Sequence, residues 1–248
     1  MAVSEGLRDV ADIWLVPVTA GLLGPSAERV LDEGERQQAE RFHRDDDRRR
    51  FTVAHASLRV ILGARLGLAP ECLRFGREPC PECGGPNGRP VLMDSAASLH
   101  FSLSHAGGLV AVAVASAPVG IDVEPMPGVE VVSAVLETLH PREREVVLAA
   151  PLTRRSAVFA RMWTLKEALL KGIGTGLAHG LADHDLTDGA HPWPDQGWSL
   201  AQLPVEAGYA GAVALRGARV QPRLHRLQLS PTPDVSTLAR ATLPEPES

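Results

Sequence analysis

Leu109 to Ala115 is a run of apolar β-formers, and it leads into Gly120-Ile121-Asp122-Val123-Glu124. Asp122 and Glu124 alternate with Ile121 and Val123, so on a strand both carboxylates stand on one face. Two carboxylates that close repel unless a cation or a shared proton lies between them. Pro125 and Pro127 then end the strand. The pattern points to a divalent-metal site at a strand end, although two solvated acids beside a turn would leave the same signature.

Composition narrows the setting. The 248 residues make one large domain or two small ones, and 44% hydrophobic content supports a proper core. A net charge of −5 argues against coating a nucleic acid. There is no 18-residue apolar run, and the opening MAVSEGLRDVADIW lacks a basic start with an apolar core, so a soluble, unexported, cytoplasmic chain with no membrane partner is expected. Cys72, Cys80 and Cys83 are odd in number, which argues for a reducing compartment and against a disulfide framework. Of 25 basic residues only Lys166 and Lys171 are lysines, and both fall in Trp163-Thr164-Leu165-Lys166-Glu167-Ala168-Leu169-Leu170-Lys171. In a chain that has drifted to arginine, two clustered lysines mark a place where a compact ammonium is needed.

Taken in order, residues 12–18 read as a strand and Leu31 to Phe42 as a charged surface helix. Asp45-Asp46-Asp47 offers an N-cap and a negative first turn for a long helix from about Asp46 to Leu66, whose buried face is Phe51, His55, Leu58, Leu62 and Leu66. Arg48, Arg49 and Arg50 form a basic first turn, most of it a solvated face. Gly67 to Pro70 breaks the helix, and residues 73–77 form a short strand. Cys80 and Cys83 have zinc-ligand spacing in a turn-rich loop; a zinc would need Cys72 and a histidine as well, and two reduced thiols are the default. Leu99 to Leu103 is a strand running into the turn Ser104-His105-Ala106-Gly107-Gly108, which can hold a phosphate or be a plain hairpin. Ser104 and His105 point apart and make no nucleophilic couple.

Residues 130–139 and 141–149 read as two helices, and Arg154 to Lys171 as a third, ended by Gly172, Gly174 and Gly176. Glu167 and Lys171 share a face of it, as a surface ion pair or as part of a site. Strands are expected at 198–203, 209–216 and 223–229, then a flexible tail over 230–248. Ser116 to Val119 is the expected boundary, dividing the chain into 1–117 and 118–229.

Four stretches line up in order: Asn87-Gly88-Arg89-Pro90, Phe101-Ser102-Leu103-Ser104-His105, Gly120-Ile121-Asp122-Val123-Glu124 and the Trp163 to Lys171 segment. Together they resemble the 4′-phosphopantetheinyl transferases, of the long, surfactin-synthetase-activating (Sfp) type, over roughly residues 12 to 229. The resemblance implies transfer of the phosphopantetheine arm of coenzyme A to a serine of an apo acyl or peptidyl carrier protein, leaving adenosine 3′,5′-bisphosphate. It also implies an α/β (α+β) fold of two similar halves about a pseudo-twofold axis, active site between them, in a monomer. By the same resemblance Asp122, Glu124 and Glu167 are ligands of Mg²⁺, or of Mn²⁺ in its place. Lys171, with Lys166 in support, reaches the diphosphate. Arg89, Ser104 and His105 match positions that hold the phosphates of coenzyme A, Arg50 matches an adenosine-side arginine, and Glu167 is the candidate base.

Some positions depart from the pattern. Arg89 stands where lysine is frequent, Glu35 and Gln38 replace basic residues near the first helix, Thr175 replaces a lysine of some members, and Val123 leaves a fourth metal position to water. Two other function classes compete: a Mg²⁺-dependent hydrolase of a nucleotide diphosphate using the same carboxylates, and a non-catalytic module holding zinc at the loop cysteines.

Overall fold

In the computed structural model the described residues are 10–18, 25–93, 99–176, 181–187, 197–217 and 219–227. The apolar run is strand β5 (Leu109–Ala115), and all seven of its residues are buried. A strand buried on both faces needs cover on both. Alternation decides which cover goes where. Val110, Val112 and Val114 face one way with Trp14, Val16 and Phe101, and meet Val53, Leu58, Ile61 and Leu62 of helix α3 (Asp45–Leu66). Ala111 and Ala113 face the other way with Ala11 and Ile13, a shallow surface on which a second sheet lies.

The first sheet has the order β4-β5-β1-β9, with β1 Val10–Pro17, β4 His100–Ala106 and β9 Gln221–Arg226. β5 is antiparallel to both neighbours, whereas β9 pairs parallel with β1, Val10 opposite Gln221. The second sheet has the order β6-β8-β7, from β6 (Val119–Pro125), β7 (Trp198–Gln202) and β8 (Tyr209–Arg216). Its Ile121, Val123, Val213 and Leu215 pack on the alanine face. Its outer face, with Leu200, Ala212 and Ala214, packs on Leu165, Ala168 and Leu169 of helix α6 (Leu152–Ile173). The molecule is thus an α/β fold layered helix, sheet, sheet, helix. Smaller pieces complete it: α1 (Pro25–Arg29), α2 (Glu33–Glu40), the β2 (Phe75–Arg77) and β3 (Pro90–Leu92) ribbon, α4 (Val129–Val135) and α5 (Pro141–Ala149).

Several expectations need correction. α3 starts at Asp45 behind Arg44, so no aspartate is the N-cap; all three lie in the expected negative first turn, where they bind Arg48, Arg49 and Arg50. The surface helix expected over 31–42 is α2, closed by a capping box between Asp32 and Glu35. Residues 130–139 divide into α4 and a 3₁₀ turn, Leu136–Thr138. The last strand runs over 221–226 and joins the first sheet, so the second half of the sequence contributes one strand to it. The expected tail over 230–248 lies outside the described residues. Cys72, Cys80 and Cys83 are free, and among the described residues no three histidine, cysteine or acid side chains are placed as a metal cluster, so the zinc set does not assemble. No helix among them is long and apolar enough to cross a membrane.

Candidate active site

The site begins with a missing side chain. A Cβ at Gly120 would lie 1.9 Å from the Ala168 carbonyl oxygen and 2.4 Å from the Gly172 nitrogen. β6 and α6 therefore touch backbone to backbone, and only glycine permits it. Two residues on, Asp122 points at α6, where Glu167 and Lys171 share one face. Lys171 Nζ lies 2.6 Å from Asp122 Oδ1 and donates to Ser104 Oγ at 3.1 Å. Ser104 in turn donates to Asp122 Oδ1 at 2.8 Å and accepts from the Val123 amide at 3.4 Å. Ser102 accepts from the Ile121 amide at 3.1 Å. Hydroxyls of β4 thus bridge the two sheets and hold Asp122 and Lys171 together.

The electrostatics show an excess of negative charge. Glu167 is pushed up to about 7, by burial first and then by Asp122, with Glu124 adding to the effect. Glu124 is pushed up to about 7 by burial and by Asp122, while Lys171 and Arg50 pull it back. Asp122 is 1% exposed, and its Oδ2 is buried with no hydrogen-bond partner. Three carboxylates around one ammonium, with a buried oxygen unused, is the donor set of a hard divalent cation: oxygen only, and crowded. By atom type these oxygens suit Mg²⁺, but among the described residues the three acids are not placed as a group that could hold an ion, and Lys171 pairs with Asp122 instead.

Beside the acids opens a cavity of about 700 Å³, with Lys171, Leu170 and Gly174 on one side, Arg89 and His105 along it, and Phe51 and His55 opposite. Lys171 belongs to both the cavity and the acid cluster. Arg89 is aimed by Glu78, whose Oε2 accepts from Nε at 2.9 Å and Nη2 at 2.7 Å, while Nη1 donates to the Gly172 carbonyl at 3.2 Å. His105 is pushed down to about 4, by burial and then by the positive charges of His55, Arg50 and Lys171. Arg50 bonds Asp47 at 2.6 Å, and its charge acts on both His105 and Glu124. A cavity lined by Lys171, Arg89, Arg77, His55 and His105 suits a ligand with several phosphates.

The structure brings together Arg50, Arg89, Ser104, His105, Asp122, Glu124, Glu167 and Lys171. Lys166 does not join them. It is 1% exposed, pairs with buried Glu143 at 3.0 Å, and donates to the carbonyls of Leu181, at 2.6 Å, and His184. Its position on α6, five residues before Lys171, turns it roughly 140° away. The role expected for it at the diphosphate is therefore corrected: it fastens α6 to α5 and to residues 181–187. Sequence reading missed the wall formed by Asp32, Glu35 and His55, with Arg59 buried behind Glu35. The capping-box spacing of Asp32 and Glu35 was the available signal, together with His55 on the same helix face as Phe51.

Comparison with known proteins agrees with this geometry. Residues 118–213 match the family described as the 4′-phosphopantetheinyl transferase superfamily, an interval holding Asp122, Glu124, Glu167 and Lys171. The 4′-phosphopantetheinyl transferase HetI of a Nostoc species is 32% identical over 230 residues, covering 88% of this chain and 92% of that one. A 4′-phosphopantetheinyl transferase of Bacillus pumilus is 35% identical over 148 residues, 59% of each chain. The transferase Sfp of Bacillus subtilis is 26% identical over 143 residues, 58% of this chain and 60% of that one. Neither the hydrolase nor the zinc-holding module finds support among these relatives.

Proposed function

The chain belongs to the 4′-phosphopantetheinyl transferase superfamily, and on that premise we propose that it moves the phosphopantetheine arm of coenzyme A onto a serine of an apo acyl or peptidyl carrier protein, releasing adenosine 3′,5′-bisphosphate. The observation that carries this is the meeting of Asp122 on β6 with Glu167 and Lys171 on α6 at the edge of the basic cavity.

Asp122, Glu124 and Glu167 are the residues that would hold Mg²⁺, or Mn²⁺ in its place. When bound, the ion supplies charge neutralisation at the diphosphate. Lys171 donates from Nζ to the same group as a point charge, and the negative charge gathering on the leaving phosphate strengthens that contact. Ser104 acts as a positioning residue, because its hydroxyl keeps Lys171 and Asp122 in register. Arg89, His105 and Arg50 bind the remaining anionic groups, Arg89 through a guanidinium already oriented by Glu78. Glu167 accepts the serine hydroxyl proton at its carboxylate, directly or through a water. The four layers support two α/β halves, 1–117 and 118–229, about a pseudo-twofold axis, with β9 crossing back. The acceptor docks as a macromolecule, and the enzyme works as a cytoplasmic monomer.

Intact mass spectrometry of an apo carrier domain incubated with the chain, coenzyme A and Mg²⁺ tests the reading. The expected result is a gain of one phosphopantetheine per carrier. Consumption of coenzyme A without any mass gain on several carriers would overturn it in favour of hydrolysis.

A further inference from the structure

The hairpin that joins β2 to β3 ends in a pair of thiols that no step of the transfer uses. Its base is locked backbone to backbone. The Glu78 amide donates to the Arg89 carbonyl at 2.9 Å, and a Cβ at Gly88 would lie 2.3 Å from the Glu78 carbonyl oxygen. Its tip is Cys80-Pro81-Glu82-Cys83-Gly84-Gly85. There the Cys80 amide donates to the Gly85 carbonyl at 2.7 Å, and the Gly84 amide to the Cys80 carbonyl at 2.8 Å. A chain turned this tightly holds the Cα atoms of its first and fourth residues within about 7 Å, inside the span a disulfide tolerates. The Cys83 thiol hydrogen-bonds the Cys80 sulfur, and the backbone amides of Cys83 and Glu82 donate to that same sulfur. Those amides, ahead of any other cause, hold the Cys80 thiol below its ordinary value. Exposure divides the pair: Cys80 is 4% exposed, whereas Cys83 is open to solvent. Two sulfurs fall short of the four ligands of a structural zinc, and no third ligand joins them among the described residues.

We propose that Cys80 and Cys83 form a thiol–disulfide exchange site that takes small-molecule disulfides, with Cys83 as the point of entry. Cys83 Sγ, as the thiolate, attacks one sulfur of the incoming disulfide. A mixed disulfide forms on Cys83, and the first small thiolate leaves. Cys80 Sγ then attacks Cys83 Sγ, which closes the protein disulfide and expels the second small thiolate. The two protons given up by the cysteines end on the two released thiols, so one disulfide is reduced for each one formed. The amides of Cys83 and Glu82 serve the second step, because they stabilise the Cys80 thiolate beside the sulfur it attacks. An excess of the reduced small thiol runs both steps backwards. The hairpin base, with Glu78 and Arg89, is fixed by its own backbone bonds, so the exchange is confined to the tip.

The test is intact mass spectrometry of the full chain, first reduced, then treated with oxidised glutathione and quenched in acid. A Cys72→Ser background removes the third thiol. The expected product is lighter by two hydrogens, and reduced glutathione restores the starting mass. Cys80→Ser in that background should stop at one stable glutathione adduct, on Cys83. Cys83→Ser should stay unmodified over the same time, because its remaining thiol is shielded. A stable adduct on Cys83 with Cys80 still present overturns the inference, as does a chain that keeps both thiols through the treatment. An adduct on Cys80 that forms in Cys83→Ser as fast as the Cys83 adduct forms in Cys80→Ser overturns the order of entry. A metal ion bound one to one, with both thiols unreactive until a chelator strips it, overturns the inference in favour of a thiolate metal site. If Cys72→Ser lowers the melting temperature, peptide mapping of the treated wild type is read in its place: a peptide with Cys80 joined to Cys83 is expected, and separate adducts overturn the inference. Carrier modification is no part of the readout, so the transferase reading stands or falls separately.

Discussion

A helix-borne ammonium must find its partner on the side of the helix it leaves from, and the two lysines of α6 leave on different sides. Lys171 faces Asp122 and Ser104, and Lys166 faces Glu143. The scarcity of lysine elsewhere marked both, but composition carries no azimuth; the 3.6-residue turn separates them. Lys171→Arg should lower kcat by about tenfold or more, because a planar fork does not fit between Asp122 Oδ1 at 2.6 Å and Ser104 Oγ at 3.1 Å. A transfer assay at saturating coenzyme A measures this, and a neutral outcome would strip Lys171 of its point-charge role. Glu167 makes a prediction about stability. Its folded pKa of about 7 lies above the ordinary 4.5, so between those values the folded state holds the proton that the unfolded state has released. Stability from this group is present at low pH and is lost as pH rises through 7. In chelator, wild type should therefore lose melting temperature from about pH 5 to about pH 8 more steeply than Glu167→Gln. Added Mg²⁺ should restore wild type more than the variant. Parallel melting curves would show that the acids are not crowded.

Elements inherit what residues impose. The long helices were legible because a 3.6 period sustained over five or more turns is a strong signal, and α3 and α6 each run 22 residues. β3 went unseen because three residues carry no period. The close approach of β6 to α6 was likewise hidden: the glycine of Gly120-Ile121-Asp122 is visible, but the carbonyl it makes room for is not. Gly120→Ala should cost more than about 4 kcal/mol, since the new methyl meets backbone that cannot swing away. Urea unfolding would register it, and a near-neutral result would mean that β6 and α6 can part without loss. The Lys166–Glu143 pair supports α6 from the opposite side. Lys166→Met leaves Glu143 buried without its cation, at a cost of ~3–5 kcal/mol, while the double change with Glu143→Gln, which keeps an acceptor for the His140 and Leu186 amides, should recover most of it. A double-mutant cycle in denaturant measures the coupling.

The whole molecule depends on a pairing that no local pattern announces. β9 could be recognised as a strand, yet its place beside β1 could not, because the partners stand at opposite ends of the chain and parallel pairing leaves no turn between them. Once there, it is clasped: Asp12 binds Arg65 and lies 2.8 Å from His225 Nε2, and the His225 ring stacks on Trp14 at 4.7 Å. A chain ending at residue 217 should lose the cooperative thermal transition and with it transfer activity, although every candidate site residue is still present. Retention of the wild-type melting temperature would show that β9 is an ornament of the first sheet. The same strand sets a timetable for biogenesis. A ribosome releases β1 about two hundred residues before its parallel neighbour, so a nascent chain carries a bare strand edge while all of those residues are made. Stalled or prematurely terminated products would display that edge to one another, and their aggregates, rather than half-active enzyme, are what a cell interrupted in making this protein would have to clear.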